Sequence, residues 1–233
     1  MKKYEVIYED SDLYVIRKSA GLACQSARPI KPDLMSLLKN ECLERGEREP
    51  YLALVNRLDQ PVEGLLLVAK NQQAAASLSA QARDHTRMEK EYQALVGGVF
   101  SEEKGVLVDF LLRDGRTNTS RVVPEGTKGA KRSELAYQVL SVQEDTSLLE
   151  IRLLTGRHHQ IRVQLANAGH SIVGDFKYGG DAGVRQRGGA SNAGFCRSAH
   201  RVTSSQLCLC ASRLCFIHPR KGVKMELRTE PRF

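Results

Sequence analysis

Residues 51–70 read Tyr51-Leu-Ala-Leu-Val55-Asn56-Arg57-Leu58-Asp59-Gln60-Pro61-Val62-Glu63-Gly64-Leu65-Leu-Leu-Val-Ala-Lys70. Two apolar runs flank a polar turn from Asn56 to Gly64, so the pattern predicts two buried strands joined by a loop. A loop held by rigid strands on either side is a frequent home for chemistry. This one carries a guanidinium, Arg57, two positions from a carboxylate, Asp59. Taken alone it reads first as ordinary turn chemistry, because aspartate opens turns by accepting from nearby backbone amides.

Working outward, Tyr4–Tyr8 and Leu13–Arg17 are short, β-branched and aromatic, and predict a hairpin across the acidic turn at residues 9–12. Leu34, Leu37, Leu38 and Cys42 recur at helical spacing between Pro32 and about Arg45. Asn71 suits the N-cap of an Ala-rich helix from Gln72 to about His85, with Ala74, Ala75, Leu78 and Ala82 inward. A strand over Glu91–Val99 follows, then a basic stretch, Arg113–Arg132, that reads as an exposed loop or ribbon. Strands over Ser133–Val142 and Ser147–Leu154 lead to Thr155-Gly156 and a helix of about a dozen residues, closed by Gly169 in the position past its end. In that helix Ile161, Leu165 and Ala168 form the inward stripe and Arg162 lies at its edge. The glycine-rich segment 179–194 reads as a mobile loop, and strands at about 207–217 and 223–228 end the chain.

Many strands with few interspersed helices predict an α+β fold around a large mixed, mainly antiparallel sheet flanked by helices. A doubly wound fold is disfavoured, because helices do not alternate with strands and no Gly-rich phosphate loop follows the first strand. No repeat or linker divides the 233 residues, so residues 1–233 are expected to form a single domain.

With 41% hydrophobic and 27% charged residues, the composition excludes a disordered chain. No apolar run approaches the roughly 20 residues of a membrane span, and Met1-Lys2-Lys3-Tyr4-Glu5 is not a signal segment. The expectation is a soluble cytoplasmic protein with reduced thiols. The formal charge is +8, and ten basic against two acidic residues over 182–233 account for all of it. Such concentration suits a polyanion, nucleic acid above all. Cys208, Cys210 and Cys215 lack the knuckle spacing of a zinc site and read as structural.

The second informative stretch is Thr155-Gly156-Arg157-His158-His159-Gln160-Ile161-Arg162-Val163-Gln164, with two Arg, two His and two Gln read as the first turns of one helix. Adjacent histidines diverge by about 100° on a helix, and no third ligand stands at a suitable spacing, so no metal site is expected.

Arg57-Leu58-Asp59 with Gly64-Leu-Leu-Leu-Val-Ala-Lys70, Lys90-Glu91-Tyr92-Gln93-Ala94-Leu95-Val96, Gly156-Arg157-x-His159-Gln160-Ile161-Arg162-Val163, Gly169-His170-x-Ile172-Val173-Gly174-Asp175, and the closing run from Leu207 to Pro219 occur in that order. Together they resemble the RluA-type family of RNA pseudouridine synthases over nearly the full chain. The resemblance implies a pseudouridine synthase-like fold with a central catalytic cleft, a catalytic Asp59, a Tyr92 that stacks on the target base, and an Arg162 that pairs with the aspartate. It also implies that Arg57 fills the space the base vacates, with Asn56, Arg157, His159 and Gln160 in the substrate site. The chain departs from the family pattern at Asn56, where His is usual, at Val62-Glu63, where Thr-Ser is usual, and at His158, where Thr is usual. Glu63 would set an extra negative charge near the catalytic acid and the phosphates.

That chemistry breaks the C1′–N1 bond of a uridine, turns the freed uracil and rebuilds the bond from C5, with the carboxylate as nucleophile or as base. Either route needs an ionised aspartate, which an opposite charge favours. No cofactor and no metal are expected, because substrate and product hold the same atoms. The expected partner is rRNA or tRNA, the expected state a monomer without an N-terminal S4-type RNA-binding domain. The alternative is an RNA-binding ribosome-assembly or chaperone protein that kept the fold but lost turnover. A metal-dependent hydrolase built on His158, His159 and Asp59 is the third reading.

Overall fold

The computed structural model describes residues 3–26, 32–84, 87–179 and 206–233. Cys196 and nearly all of the glycine-rich segment expected to be mobile lie outside the described residues. The chain divides into two compact units, residues 1–92 with 210–232, and residues 93–209.

In the first unit, β1 (Tyr4–Glu9) and β2 (Leu13–Lys18) form the expected hairpin. β2 pairs antiparallel with β4 (Glu63–Ala69) from Leu13↔Ala69 to Lys18↔Gly64. Every residue of β4 is buried. After Glu63 its sequence is continuously apolar, with no polar face to offer water, as befits a strand covered on both sides. Leu65, Leu67 and Ala69 pack with Leu13, Val15, Leu214 and Phe216, and with Ala74 and Leu78 of α2 (Gln72–Arg83).

The other edge of β4 is shared. At its start Glu63 and Gly64 pair in parallel with Cys210 and Ala211 of β10 (Leu209–Ile217), and at its end Val68 and Ala69 pair with β3 (Ala53–Leu54). Only Ala53 and Leu54 of the expected strand 51–55 form β3, though the Val55 N–H still bonds the Leu67 carbonyl at 3.0 Å, and β3 is short and half-exposed rather than buried. Two amides stitch the frame. Asn56 Oδ1 accepts the Leu67 N–H at 2.8 Å, and the Gln81 amide of α2 bonds both N–H and carbonyl of Ile217 at 2.8 Å. α1 (Leu34–Glu44) begins at a capping box between Asp33 and Ser36, and β11 (Lys224–Arg228) pairs with β10.

The chain passes into the second unit along β5 (Glu89–Gly97). There the strand order is β5, β9 (Thr146–Leu153), β8 (Lys131–Gln143), β6 (Lys104–Asp114), β7 (Thr119–Val123). β6 has no counterpart in the sequence reading. Its apolar residues fall on both faces, with Val106 and Val108 about half exposed, so it shows no inward period. The basic stretch 113–132 is an antiparallel ribbon, β6 against β7 from Phe110↔Val123 to Asp114↔Thr119.

α3 (Gln160–Asn167) is eight residues long, shorter than expected. Residues 155–159 stay outside it because Gln160 Oε1 accepts from Thr155 Oγ1 and from the Arg157 N–H, both at 2.9 Å, while its Nε2 donates to the Glu134 carbonyl at 3.0 Å. Six consecutive residues, Gln160–Leu165, are buried, so Arg162 lies inside rather than at an edge, and Ala168 is exposed. Gly169 takes the left-handed φ of +90° expected of it.

Candidate active site

In the first unit the Asp59 loop is gripped on both flanks by the last residue of β2 and the segment that follows it. Ahead of Asp59, the Cys24 thiol donates to the Leu58 carbonyl at 3.2 Å and accepts the Leu58 N–H at 3.4 Å. Behind it, the Gln60 carbonyl accepts from Lys18 Nζ at 3.1 Å and from the Gly21 N–H at 2.9 Å, and the Gln60 amide returns a bond to the Gly21 carbonyl at 3.1 Å. The turn closes through the Val62 N–H on the Asp59 carbonyl, 3.0 Å.

Lys18 has no exposed surface, and its ammonium also donates to the carbonyls of Ser19 and Leu22. Burial lowers its pKa to about 8, against the opposing pull of negative charge at Cys24, Asp59 and Glu63. Tyr92 is buried on β5, and burial first, then the Asp59 charge, push its phenol well above the usual range. A clamped carboxylate thus sits within the electrostatic reach of a neutral aromatic hydroxyl. Asp59 is half-buried and Arg57 exposed, while Asn56 is buried and its amide oxygen is committed to Leu67. Glu63 is not a charge offered to phosphates. It is 2% exposed and its Oε1 accepts the Arg232 N–H at 2.7 Å.

In the second unit Arg162 makes a bidentate pair with Asp175, Nε to Oδ2 at 2.7 Å and Nη2 to Oδ1 at 2.6 Å, both groups buried. Asp175 Oδ1 also accepts the N–H groups of Lys177 and Tyr178, at 3.0 and 3.2 Å. The Tyr178 ring covers the guanidinium at 5.1 Å, and its hydroxyl accepts the Ser120 N–H at 2.8 Å and bonds His159 Nδ1 at 2.6 Å. Burial first, then the charges of His158, Arg162, Lys177 and Arg113, lower His159 to about 3, so its ring is neutral at physiological pH. His159 itself occupies the left-handed region, φ 54°, at the cap of α3. Arg157 is exposed and donates from Nε to the Arg132 carbonyl at 3.2 Å.

Of the expected site residues, Asn56, Arg57, Asp59 and Tyr92 belong to the first unit, and Arg157, His159, Gln160 and Arg162 to the second. Lys18, Cys24, Asp175 and Tyr178 carry no local signal of their roles, because each acts on a partner distant in sequence or through backbone. Gly174-Asp175 stands within the motif that carried the resemblance, yet nothing in its neighbourhood names Arg162 as its partner.

The His158 and His159 rings stack at 3.7 Å, and their Nδ1 atoms are engaged by Ser120 and Tyr178. Among the described residues, Asp10, Asp12 and His218 do bring three ligand atoms together. These groups bond instead to the protein's own donors: His218 Nε2 and Lys221 Nζ on Asp10, Arg220 and Asn71 on Asp12. No helix among the described residues is long and apolar enough to cross a membrane.

Comparison with known proteins adds three findings. Residues 12–167 match the family model for RNA pseudouridylate synthases. Ribosomal large subunit pseudouridine synthase D of Zymomonas mobilis is 31% identical over 97% of this chain and 68% of its own length, and synthase C of Buchnera aphidicola is 30% identical over 96% and 66%. The chain spans about two thirds of the length of these relatives. Among solved structures, human RNA pseudouridylate synthase domain containing 1 superposes with a TM-score of 0.70 at 25% identity, over 97% of this chain and 83% of the other. Human RNA pseudouridylate synthase domain containing 4 superposes at 0.72 with 21% identity, which speaks for the fold alone.

Proposed function

This chain belongs to the RNA pseudouridylate synthase family, and from that premise we propose that it isomerises specific uridines of ribosomal RNA to pseudouridine through the Asp59 carboxylate. The observation that carries the assignment of Asp59 is the clamp around it. Both neighbouring peptides are held by buried donors and acceptors, the rigidity a reacting group needs to stay in register with its substrate. The names of the relatives specify the large ribosomal subunit, which favours rRNA over tRNA as the substrate class.

In this mechanism the target base leaves its stack at a cost of a few kcal/mol, offset by stacking on Tyr92 and by Arg57 entering the gap. The family resemblance makes Arg162 the cationic member of the catalytic set, and its plane is held by Asp175 and Tyr178. Arg157 contacts phosphate, and Asn56, His159 and Gln160 hold the loops that present the others. No atom enters or leaves, so the reaction calls for neither cofactor nor metal. The working unit is a cytoplasmic monomer.

The test is a pseudouridine map of ribosomal and transfer RNA, incubated with the wild-type protein and with Asp59→Asn. The expected result is modification of discrete rRNA uridines by the wild type and none by Asp59→Asn, with RNA affinity retained. A site modified equally by Asp59→Asn would remove the catalytic assignment. Growth rescued in full by Asp59→Asn would favour the RNA-binding protein without turnover.

A further inference from the structure

Phe176 is 75% exposed, the most exposed large apolar side chain among the described residues, ahead of Val106 at 53%. A single exposed apolar residue is ordinary. What surrounds this one is not.

The backbone on either side of the ring is fixed. Buried Asp175 precedes it and its carboxylate accepts the N–H groups of Lys177 and Tyr178, while its own carbonyl accepts the Gly179 N–H at 2.8 Å. Tyr178 is pinned through its hydroxyl to Ser120 and His159. A ring projected into water from so constrained a corner loses little freedom when something stacks on it. The corner is also tied to the basic ribbon: Lys177 Nζ donates to the Asn118 carbonyl at 3.0 Å, and Tyr178 holds the Ser120 N–H at 2.8 Å. Arg113, paired with Ser120, and Arg116 at the turn stand exposed on that ribbon, Arg121 lies on its opposite face, and Lys177 is exposed next to Phe176 in the chain. A flat apolar face with exposed cations close by is the physical description of a platform for unpaired bases, whose faces stack while their phosphates meet the charge.

We propose that Phe176, with Lys177 and the β6–β7 ribbon, forms a stacking platform for an unpaired base of the RNA substrate, separate from the base that reacts. The identity of the partner as RNA rests on the family reading above. Phe176 contributes base contact and Lys177 contributes phosphate contact, so the two residues act on affinity in different ways.

The experiment measures binding of a short fluorescent oligouridylate and of an abasic strand of the same length, together with turnover on ribosomal RNA. Phe176→Ala is expected to weaken oligouridylate binding about tenfold and leave the abasic strand unaffected. It raises KM for rRNA with kcat unchanged, and Phe176→Tyr restores both. Lys177→Ala weakens both strands alike and flattens the salt dependence by about one phosphate. Wild-type affinity for oligouridylate in Phe176→Ala, or an equal loss on the abasic strand, overturns the proposal while wild-type turnover leaves the family reading standing. A wild-type protein that binds neither strand and forms no pseudouridine overturns both.

Discussion

Lys18 holds an ammonium group with no exposed surface, bonded to three carbonyls, one of them adjacent to Asp59 in the chain. Its pKa of about 8 in the folded state lies below its ordinary 10.5. Below pH 8 both folded and unfolded chains carry the proton, whereas between 8 and 10.5 only the unfolded chain does. Stability from this group therefore rises with pH across that window. The unfolding free energy of the wild type relative to Lys18→Met should grow by about 3 kcal/mol between pH 8 and 10.5. Urea midpoints of the two proteins across that range check it, and a flat difference would mean the buried charge carries no penalty. At this scale Asp59 and Arg57 stand out as polar residues between two apolar runs, while the roles given to them come from the family resemblance. Lys18 does not stand out: its partner Gln60 lies 42 positions away, and a lysine ending a strand reads as a solvated charge.

Elements show where local pattern is overruled. β3 stops after Leu54 because the next N–H of β4, that of Leu67, goes to the Asn56 side chain rather than to a backbone carbonyl. α3 starts late because Gln160 spends its amide on Thr155, Arg157 and Glu134. Gly64 marks the close approach of β4 to β10. Its φ is +117°, and a Cβ there would lie 2.4 Å from the backbone N and O of Ala211. Gly64→Ala combines backbone strain with a clash against main chain that cannot swing aside. A loss of several kcal/mol is expected, seen as a lowered Tm or as insoluble protein. A Tm within a few degrees of the wild type would show that the two strands can separate without harm. The glycine stands in the sequence motif, but its reason, a parallel neighbour some 150 residues later, has no local signal there.

For the molecule as a whole, the formal charge of +8 bears on how it meets RNA. The exposed arginines of the β6–β7 ribbon offer several phosphate contacts, each releasing counterions on binding. Affinity for ribosomal RNA should fall log-linearly with salt, by about 0.7 in slope for each phosphate met on a single strand. Filter binding at increasing salt measures this, and a salt-independent affinity would argue against phosphate contact as the main source of binding.

The amino-acid order alone determined the elements with strong local signals, the α+β class, and the five ordered motifs that mark the family. Those features depend on neighbours a few residues apart, which periodicity and spacing record. Tertiary structure decided which groups hold the others still: Cys24 and Lys18 around Asp59, Asp175 and Tyr178 around Arg162, Gln160 beneath the α3 turn. Each is a hydrogen bond or charge contact whose strength depends on burial and geometry within about 3 Å, and neither quantity exists until distant segments of the chain have been folded together.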